Sequence, residues 1–101
     1  MRRSYHDQSQ SCRLHQNYPN PFNVETRIQY EVPAYRVVDI SIYDLIGMKI
    51  KTLARGNHAS GVYNVYWDGA DQGGSPVANG VYICRLTAPG GSMHIKVVLM
   101  R

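Results

Sequence analysis

Apolar and polar residues alternate along most of the chain from residue 26 onward, with the period of two that is typical of strands. In residues 26–32, Ile28, Tyr30 and Val32 share one face, and the residues between them are polar or charged. Because successive side chains of a strand point to opposite faces, this pattern predicts a strand that is buried on one side. Pro33 lacks a backbone N–H and is expected to end it.

Five further segments show the same alternation and are separated by Gly, Pro, Asp or Asn. They are residues 37–43, 48–53, 62–67, 81–88 and 93–100. Trp67 closes the fourth strand along the chain and is expected in the centre of the core. Six strands with turn signals between them, and no useful helical period, predict an all-β, immunoglobulin-like antiparallel β-sandwich of six to seven strands.

The connections between these strands are short and rich in turn-forming residues. Asp44 to Gly47 predicts a hairpin turn, and residues 56–61 predict a loop. Residues 68–80 hold four of the nine glycines, so a long turn region is expected there. Connections this short leave no room for crossover helices, which indicates antiparallel strands.

The first residues of the chain lack periodicity. Residues 1–15 are predicted to be a flexible tail or the remnant of a linker, and residues 16–101 are predicted to be the domain. Met1-Arg2-Arg3 carries the positive charge with which a signal peptide begins. The residues that follow are polar, so the apolar segment that a signal peptide needs is missing. No apolar run approaches the ~20 residues of a spanning helix, so no membrane insertion is expected.

The net charge of +4 and the pI of about 9.3 raise the question of nucleic-acid binding. Arg2, Arg3 and Arg13 against Asp7 place +2 of that charge in the first fifteen residues. The remaining cations occur singly, often at outward strand positions, and form neither a stripe nor a known motif. We therefore expect no nucleic acid as a partner.

Two features could hold a metal ion or a covalent bridge. Cys12 and Cys84 have no zinc spacing; a buried free thiol is the favoured interpretation for Cys84, and a disulfide between the two is the alternative. Asp68 and Asp71 with nearby glycines resemble part of a calcium loop, but these residue types also make ordinary turns. We expect no cofactor and no metal.

The sequence also offers little for catalysis. The histidines His6, His15, His58 and His94 are dispersed, and no nucleophile is paired with a base, so we expect no enzyme activity. Four tyrosines are candidates for an aromatic sugar-binding platform, with Tyr43 and Tyr66 expected on outward faces: Tyr43, Tyr63, Tyr66 and Tyr82. A carbohydrate-binding module is therefore one alternative function.

Several motifs together resemble the C-terminal sorting domains of type IX secretion, over residues 16–101 and in that family's order. The opening is Gln-Asn-Tyr-Pro-Asn-Pro-Phe-Asn at residues 16–23, which we name the leader segment, followed by Thr26-Arg27-Ile28. The other matching stretches are residues 42–47, 61–69, Asp71, residues 76–82 and residues 96–101. Val24 departs from the family, which commonly has proline there. The sandwich is also similar to the immunoglobulin-like domain of flagellar hook-capping proteins.

This resemblance implies a sorting signal for a larger cargo protein that precedes the domain. The cargo would pass through the periplasm and be carried across the outer membrane to the cell surface by a translocon that recognises the domain. A sortase-like surface enzyme is a further implied partner, which can remove the domain and attach the cargo to surface lipopolysaccharide. The family's terminal strand carries much of the signal. The corresponding residues, named here the recognition strand, are Lys96, Val97, Val98, Leu99, Met100 and Arg101.

From the residues alone, a simpler interpretation of the recognition strand stands beside this one. Val97 and Leu99 would complete the core, while Lys96 and Arg101 would keep the strand soluble. An edge strand could equally offer unpaired backbone groups to a partner. A further alternative function is a cell-surface structural or adhesive domain that self-associates by adding the tail, residues 1–15, to a neighbour's sheet.

Overall fold

The computed structural model describes residues 11–101, which form seven strands and no helix. The strands are β1 (Arg13–Leu14), β2 (Thr26–Val32), β3 (Arg36–Tyr43), β4 (Lys49–His58), β5 (Gly61–Trp67), β6 (Gly80–Ala88) and β7 (Gly91–Leu99). Within these residues there is accordingly no helix of the length and apolar character that crossing a membrane requires.

The strands form two antiparallel sheets, as the alternation predicts. One sheet has the order β1-β2-β5, and the other has the order β4-β3-β6-β7. Consecutive strands β6 and β7 pair over their full length, whereas β3 pairs with both β4 and β6. The all-β, immunoglobulin-like sandwich is thereby confirmed, with β1 as a strand beyond the six expected.

The core lies between the apolar faces of the two sheets. Trp67 is fully buried and contacts the Phe22 ring, with 5.5 Å between the ring centroids. Its indole N–H donates to the Ala70 carbonyl at 2.8 Å, so burial leaves no polar atom of the ring unpaired. Most other fully buried residues are those that alternation assigned to inward faces, including Ile28, Val38, Ile40, Ile42, Cys84 and Val97, whereas Ser41 is buried on the opposite face of β3.

One predicted loop is a strand. Residues 56–61 were expected to be a loop, but β4 continues to His58, and only Ala59 and Ser60 separate it from β5. The reason is tertiary: Gly56 and Asn57 pair with Val38 and Val37 of β3, which outweighs their local preference for turns.

The folded part of the chain begins before residue 16. In β1, Arg13 and Leu14 pair with Glu31 and Tyr30 of β2, and Cys12 is buried. These residues lie in the segment 1–15 that was expected to be a tail, and residues 1–10 of that segment lie outside the described residues. A run as short as β1 has too few residues to show a period.

The leader segment has one buried anchor instead of two. Its two aromatic residues, Tyr18 and Phe22, are the candidates that its sequence offers for anchoring it in the core; Phe22 is 2% exposed, but Tyr18 is 73% exposed. The backbone of Tyr18 exchanges two hydrogen bonds of 2.9 Å with Arg27, so the segment is held there by its main chain. The peptide bonds before Pro19 and Pro21 are both cis.

Candidate functional site

The recognition strand is an integral part of the sandwich. Val97 and Leu99 are buried in the core, whereas Lys96, Met100 and Arg101 are exposed. Both interpretations of the sequence therefore describe part of this segment: alternate residues complete the core, and the others face solvent. A partner that recognises side chains here would meet Lys96, Met100 and Arg101 with the half-buried Val98.

The outer edge of β7 is covered along its last residues by the leader segment. Gln16 Nε2 donates to the Lys96 carbonyl at 2.7 Å, and Val98 N donates to Asn20 Oδ1 at 2.9 Å. Phe22 N donates to the Val98 carbonyl at 2.9 Å, and Met100 N donates to the Phe22 carbonyl at 2.8 Å. Although β7 is the last strand of its sheet, its closing residues do not offer the unpaired backbone that a free edge would.

The final residue of the sequence is held by both its side chain and its backbone. Arg101 Nη2 donates to the Gly69 carbonyl and Nη1 to the Val77 carbonyl, each at 2.8 Å. The Asn79 side chain exchanges hydrogen bonds of 3.0 and 3.2 Å with the Arg101 backbone. The guanidinium thus joins two sides of the long turn between β5 and β6.

Gly69 has no room for a side chain beneath this arginine. Its φ is +75°, and a Cβ atom there would lie 2.6 Å from Arg101 Nη2 and 3.2 Å from Leu99 Cδ2. Such a distance is too short for real contacts, and the backbone conformation is one that residues with a Cβ adopt at a cost. The positive φ therefore favours glycine here, and a Cβ atom would displace the Arg101 guanidinium from its place beside Leu99.

The polar residues of the leader segment bind one another. Asn17 is 3% exposed, and its Nδ2 donates to Thr26 Oγ1 at 2.9 Å and to the Pro19 carbonyl at 3.2 Å. The Thr26 hydroxyl donates to the same carbonyl at 2.7 Å. The leader segment bonds to the recognition strand, and Arg101 of that strand bonds to the long turn, so these matching motifs gather at the end of the sandwich where β7 finishes. We call this the terminal end.

Sequence reasoning named Arg101 but not its partners, and it missed the side chains of Gln16, Asn20 and Asn79. These four residues bind backbone groups 22 to 80 positions away in sequence. No periodicity marks them, because they lie in irregular segments. The family motif was the one signal that included them, without giving their partners.

The aspartates that suggested calcium accept hydrogen bonds within turns. Asp68 Oδ1 accepts from Ala70 N at 3.1 Å and lies 3.8 Å from Lys51 Nζ. Asp71 Oδ1 accepts from Gly73 N at 3.0 Å and Ser75 N at 2.9 Å. Across residues 11–101, His, Cys, Asp and Glu form no group of three or more that could hold a metal ion.

The cysteines are buried and free. Cys12 and Cys84 do not form the disulfide that the sequence left open. Burial raises the pKa of the Cys84 thiol to about 12, so it is protonated at neutral pH. A protonated, inaccessible thiol is a poor nucleophile, and Cys84 functions here as a core residue.

The histidines lie in separate environments. His15 Nε2 and Glu31 Oε2 are 2.6 Å apart at the surface. The buried His58 contacts the Tyr30 hydroxyl at 2.8 Å and the Gly56 carbonyl at 2.9 Å. His94 is exposed on β7, and His6 lies outside the described residues. No two of the three described histidines share a site.

The tyrosines that suggested a sugar-binding platform lie in different sheets. Tyr43 belongs to β3, where the Arg85 guanidinium lies 4.9 Å from its ring centroid, and Tyr66 belongs to β5. The platform of Tyr43 and Tyr66 is therefore not formed.

A cavity of about 530 Å³ lies at the opposite end from the terminal end, beside the β6–β7 turn, and Arg36 is the one charged residue that lines it.

Comparisons with known proteins agree on the fold. A family model described as the FlgD Ig-like domain matches residues 21–92. Among solved structures, the chain is similar to part of dimeric latent PorU from Porphyromonas gingivalis, with a TM-score of 0.70 and 19% identity. The match covers 89% of this chain and 9% of the PorU chain, and at this identity it shows a shared fold. No curated protein matches.

Proposed function

Because the chain belongs to the FlgD Ig-like domain family, we propose that it is a non-catalytic immunoglobulin-like module that sorts a larger exported protein to the cell surface. The cargo precedes the module, crosses the periplasm and leaves through an outer-membrane translocon that binds the folded module. A sortase-like surface enzyme is a second partner. The domain is residues 16–101 with β1 added to its sheet.

The convergence of the motifs at the terminal end is the observation that supports this proposal. The motifs that resemble type IX sorting domains are far apart in sequence, yet the leader segment bonds to Val98 and Met100, and Arg101 bonds to Gly69 and Val77. A simple sandwich needs an apolar core but does not need Arg101 to bond to both sides of the long turn and the leader segment to bond to the recognition strand. A sorting signal that is recognised only in the folded module requires that folding bring its separate motifs together.

The structure limits what a translocon could recognise. Val97 and Leu99 face inward and the backbone from Lys96 to Met100 is paired, so side-chain contacts must come from the exposed residues. Lys96 and Met100 are the two exposed side chains of the recognition strand that make no hydrogen bond in the fold, since Arg101 is engaged. We therefore assign recognition to Lys96 and Met100 on a surface that the leader segment holds rigid.

Reporter secretion tests the proposal. The 101-residue chain is fused after a periplasmic reporter in a cell that has type IX secretion, and surface reporter is measured. We expect delivery with the unchanged chain and its loss with Lys96→Glu combined with Met100→Gln. His94→Glu is the matched control, because it places the same acidic side chain at an exposed position of β7 outside the recognition strand, opposite Arg85, and should leave delivery unchanged.

Stability measurements separate recognition from folding. Each variant changes exposed side chains, so its free energy of unfolding should stay within about 0.5 kcal/mol of the original. If the double variant folds normally and is delivered as before, these side chains are not the signal. If the unchanged chain delivers no reporter while a native sorting domain of the same cell does, the sorting function itself is wrong.

A further inference from the structure

Three of the four sheet edges in residues 11–101 carry features, over part or all of their length, that oppose pairing with another strand. The edge of β4 carries Lys49 and Lys51 and has two irregularities in its register with β3. Gln72 also occupies this edge: its N–H donates to the Ile50 carbonyl, and its Oε1 accepts from Thr52 N, both at 2.9 Å. Charges, bulges and covering groups are the usual means of preventing edge-to-edge association.

The edges of β7 and β1 are protected by other means. The leader segment covers β7 from Lys96 to its end, as described above. β1 has two residues, and a short strand offers few groups for pairing.

The edge of β5 has none of these devices. β5 is Gly61–Trp67, seven residues without charge or proline, and it pairs with β2 in continuous register over its whole length. No strand in the described part of the chain pairs with its other side. Val62 and Tyr66 are 60% and 54% exposed on the outer face, which leaves this edge both unpaired and apolar.

The hydrogen bonds of β2 show which β5 groups are free. The Arg27 backbone bonds to Tyr18, and the Gln29 carbonyl accepts from His15, so these residues direct their backbone away from β5. Because the direction alternates along an antiparallel pair, their partners Tyr66 and Asn64 also point their N–H and C=O away from β2, as does Val62. These three residues form the free hydrogen-bonding edge.

We propose that this edge binds a second copy of the chain, with the two β5 strands antiparallel about a two-fold axis at Asn64. In this register Asn64 lies opposite its own copy, and Val62 lies opposite Tyr66 in both halves. All three positions have outward backbone groups, so each pair exchanges two hydrogen bonds. The result is one continuous six-stranded sheet that spans both copies.

The residue pattern of β5 favours a second copy over another partner. With Asn64 opposite its own copy, Tyr63 of one chain lies opposite Val65 of the other. Val62 likewise lies opposite Tyr66, so each tyrosine meets a valine. Aromatic residues opposite β-branched residues are favourable cross-strand pairs, and no like charges meet. In a two-fold interface the same edge of both copies is buried, so no free β5 edge remains for a third copy and the assembly stops at a dimer. This inference does not depend on the sorting function.

Charge substitutions at the symmetry axis test the register. Sedimentation equilibrium of the 101-residue chain should show a dimer of twice 11.4 kDa, half-formed at or below about 1 mM, the weak end of specific association. N64K and N64D each place like charges opposite one another and should raise the dissociation constant at least about tenfold. An equimolar mixture of the two should restore dimers, because Lys then meets Asp.

The matched control is T87K, which adds the same charge at an exposed position on a central strand of the other sheet and should leave dimerisation unchanged. Thermal unfolding checks that every variant is folded. The proposal is overturned if the unchanged chain is monomeric at about 1 mM, or if its mass keeps growing beyond the dimer. It is also overturned if mixing N64K with N64D restores nothing, which would point to another register or to a neighbour's N-terminal segment on this edge.

Discussion

Leu99→Ala compared with Met100→Ala tests whether the recognition strand belongs to the core. Leu99 is 1% exposed and Met100 is 60% exposed, although they are adjacent in sequence. The Leu99 methyl groups pack against Gly69: a Cβ atom placed on Gly69 would lie 3.2 Å from Leu99 Cδ2 and 3.3 Å from Leu99 Cδ1. Because Arg101 and Val77 hold Gly69 in place, the surrounding backbone cannot easily move in to fill the space that Leu99→Ala creates.

The expected cost of Leu99→Ala lies in the middle to upper part of the range for buried leucines, about 3–5 kcal/mol. Small domains have a total free energy of unfolding of about 5–15 kcal/mol, so this one substitution removes a large share. Met100→Ala should cost at most about 0.5 kcal/mol, because the side chain is mostly in solvent.

Urea unfolding followed by fluorescence measures both effects, since Trp67 is the one tryptophan and is fully buried. With a denaturant dependence of about 1–3 kcal/mol per molar urea, Leu99→Ala should lower the midpoint by about 1 M or more. A cost below about 1 kcal/mol for Leu99→Ala, or equal costs for the two variants, would refute the packing described here.

This prediction bears directly on secretion experiments. Deleting residues 96–101 removes Val97 and Leu99 from the core, and it also removes the partners of Gln16, Asn20 and Phe22. Loss of delivery after that deletion would follow from unfolding alone. Substitutions of exposed side chains, as proposed above, avoid this ambiguity.

Three further predictions concern the terminal end and the core. Gly69→Ala should destabilise the domain by about 1 kcal/mol more than Gly74→Ala in urea unfolding, because both have positive φ but only Gly69 lies against Arg101 and a leucine. Burial, and secondly the neighbouring Tyr63, raises the pKa of Tyr30 from 10.0 to about 12, so its contribution to stability is complete below pH 10 and is lost as the pH rises through 12. In Cys12→Ser, the Cys84 thiol should resist a thiol reagent in the native state and react fully in urea.

Each of these has a contrary outcome. Equal costs for Gly69→Ala and Gly74→Ala would mean that the Arg101 contact is absent in solution. For Tyr30, unfolding free energies at pH 9 to 12 should fall more steeply in the original protein than in Tyr30→Phe, and parallel curves would contradict the assignment. Rapid labelling of Cys84 in the folded Cys12→Ser variant would show that this side chain is accessible.

The alternation of apolar and polar residues was sufficient to predict the sheet faces. In β2, β5, β6 and β7, every residue that alternation placed inward is buried or half-buried, and Trp67 is at the centre as expected. This succeeds because a two-residue period depends only on neighbours along the strand. The same local logic identified the Asp44 turn, where the carboxylate accepts from Ile46 N and Met48 N.

Features that depend on distant partners could not be obtained in this way. Residues 56–58 look like a loop until β3 is placed beside them, and β1 is too short to show a period. Tyr18 and Phe22 are both aromatic, yet only the three-dimensional path of the leader segment puts Phe22 against Trp67 and leaves Tyr18 in solvent.

The sequence by itself therefore determined the fold class, the strand faces and the family motifs, since each is written in local periodicity or residue identity. Tertiary structure alone decided which edges are open. Gln16 and Asn20 close β7, Gln72 closes β4, and nothing in residues 11–101 closes β5. The physical reason is that an edge is defined by the absence of a neighbouring strand, and neighbours in a sheet are set by long-range packing.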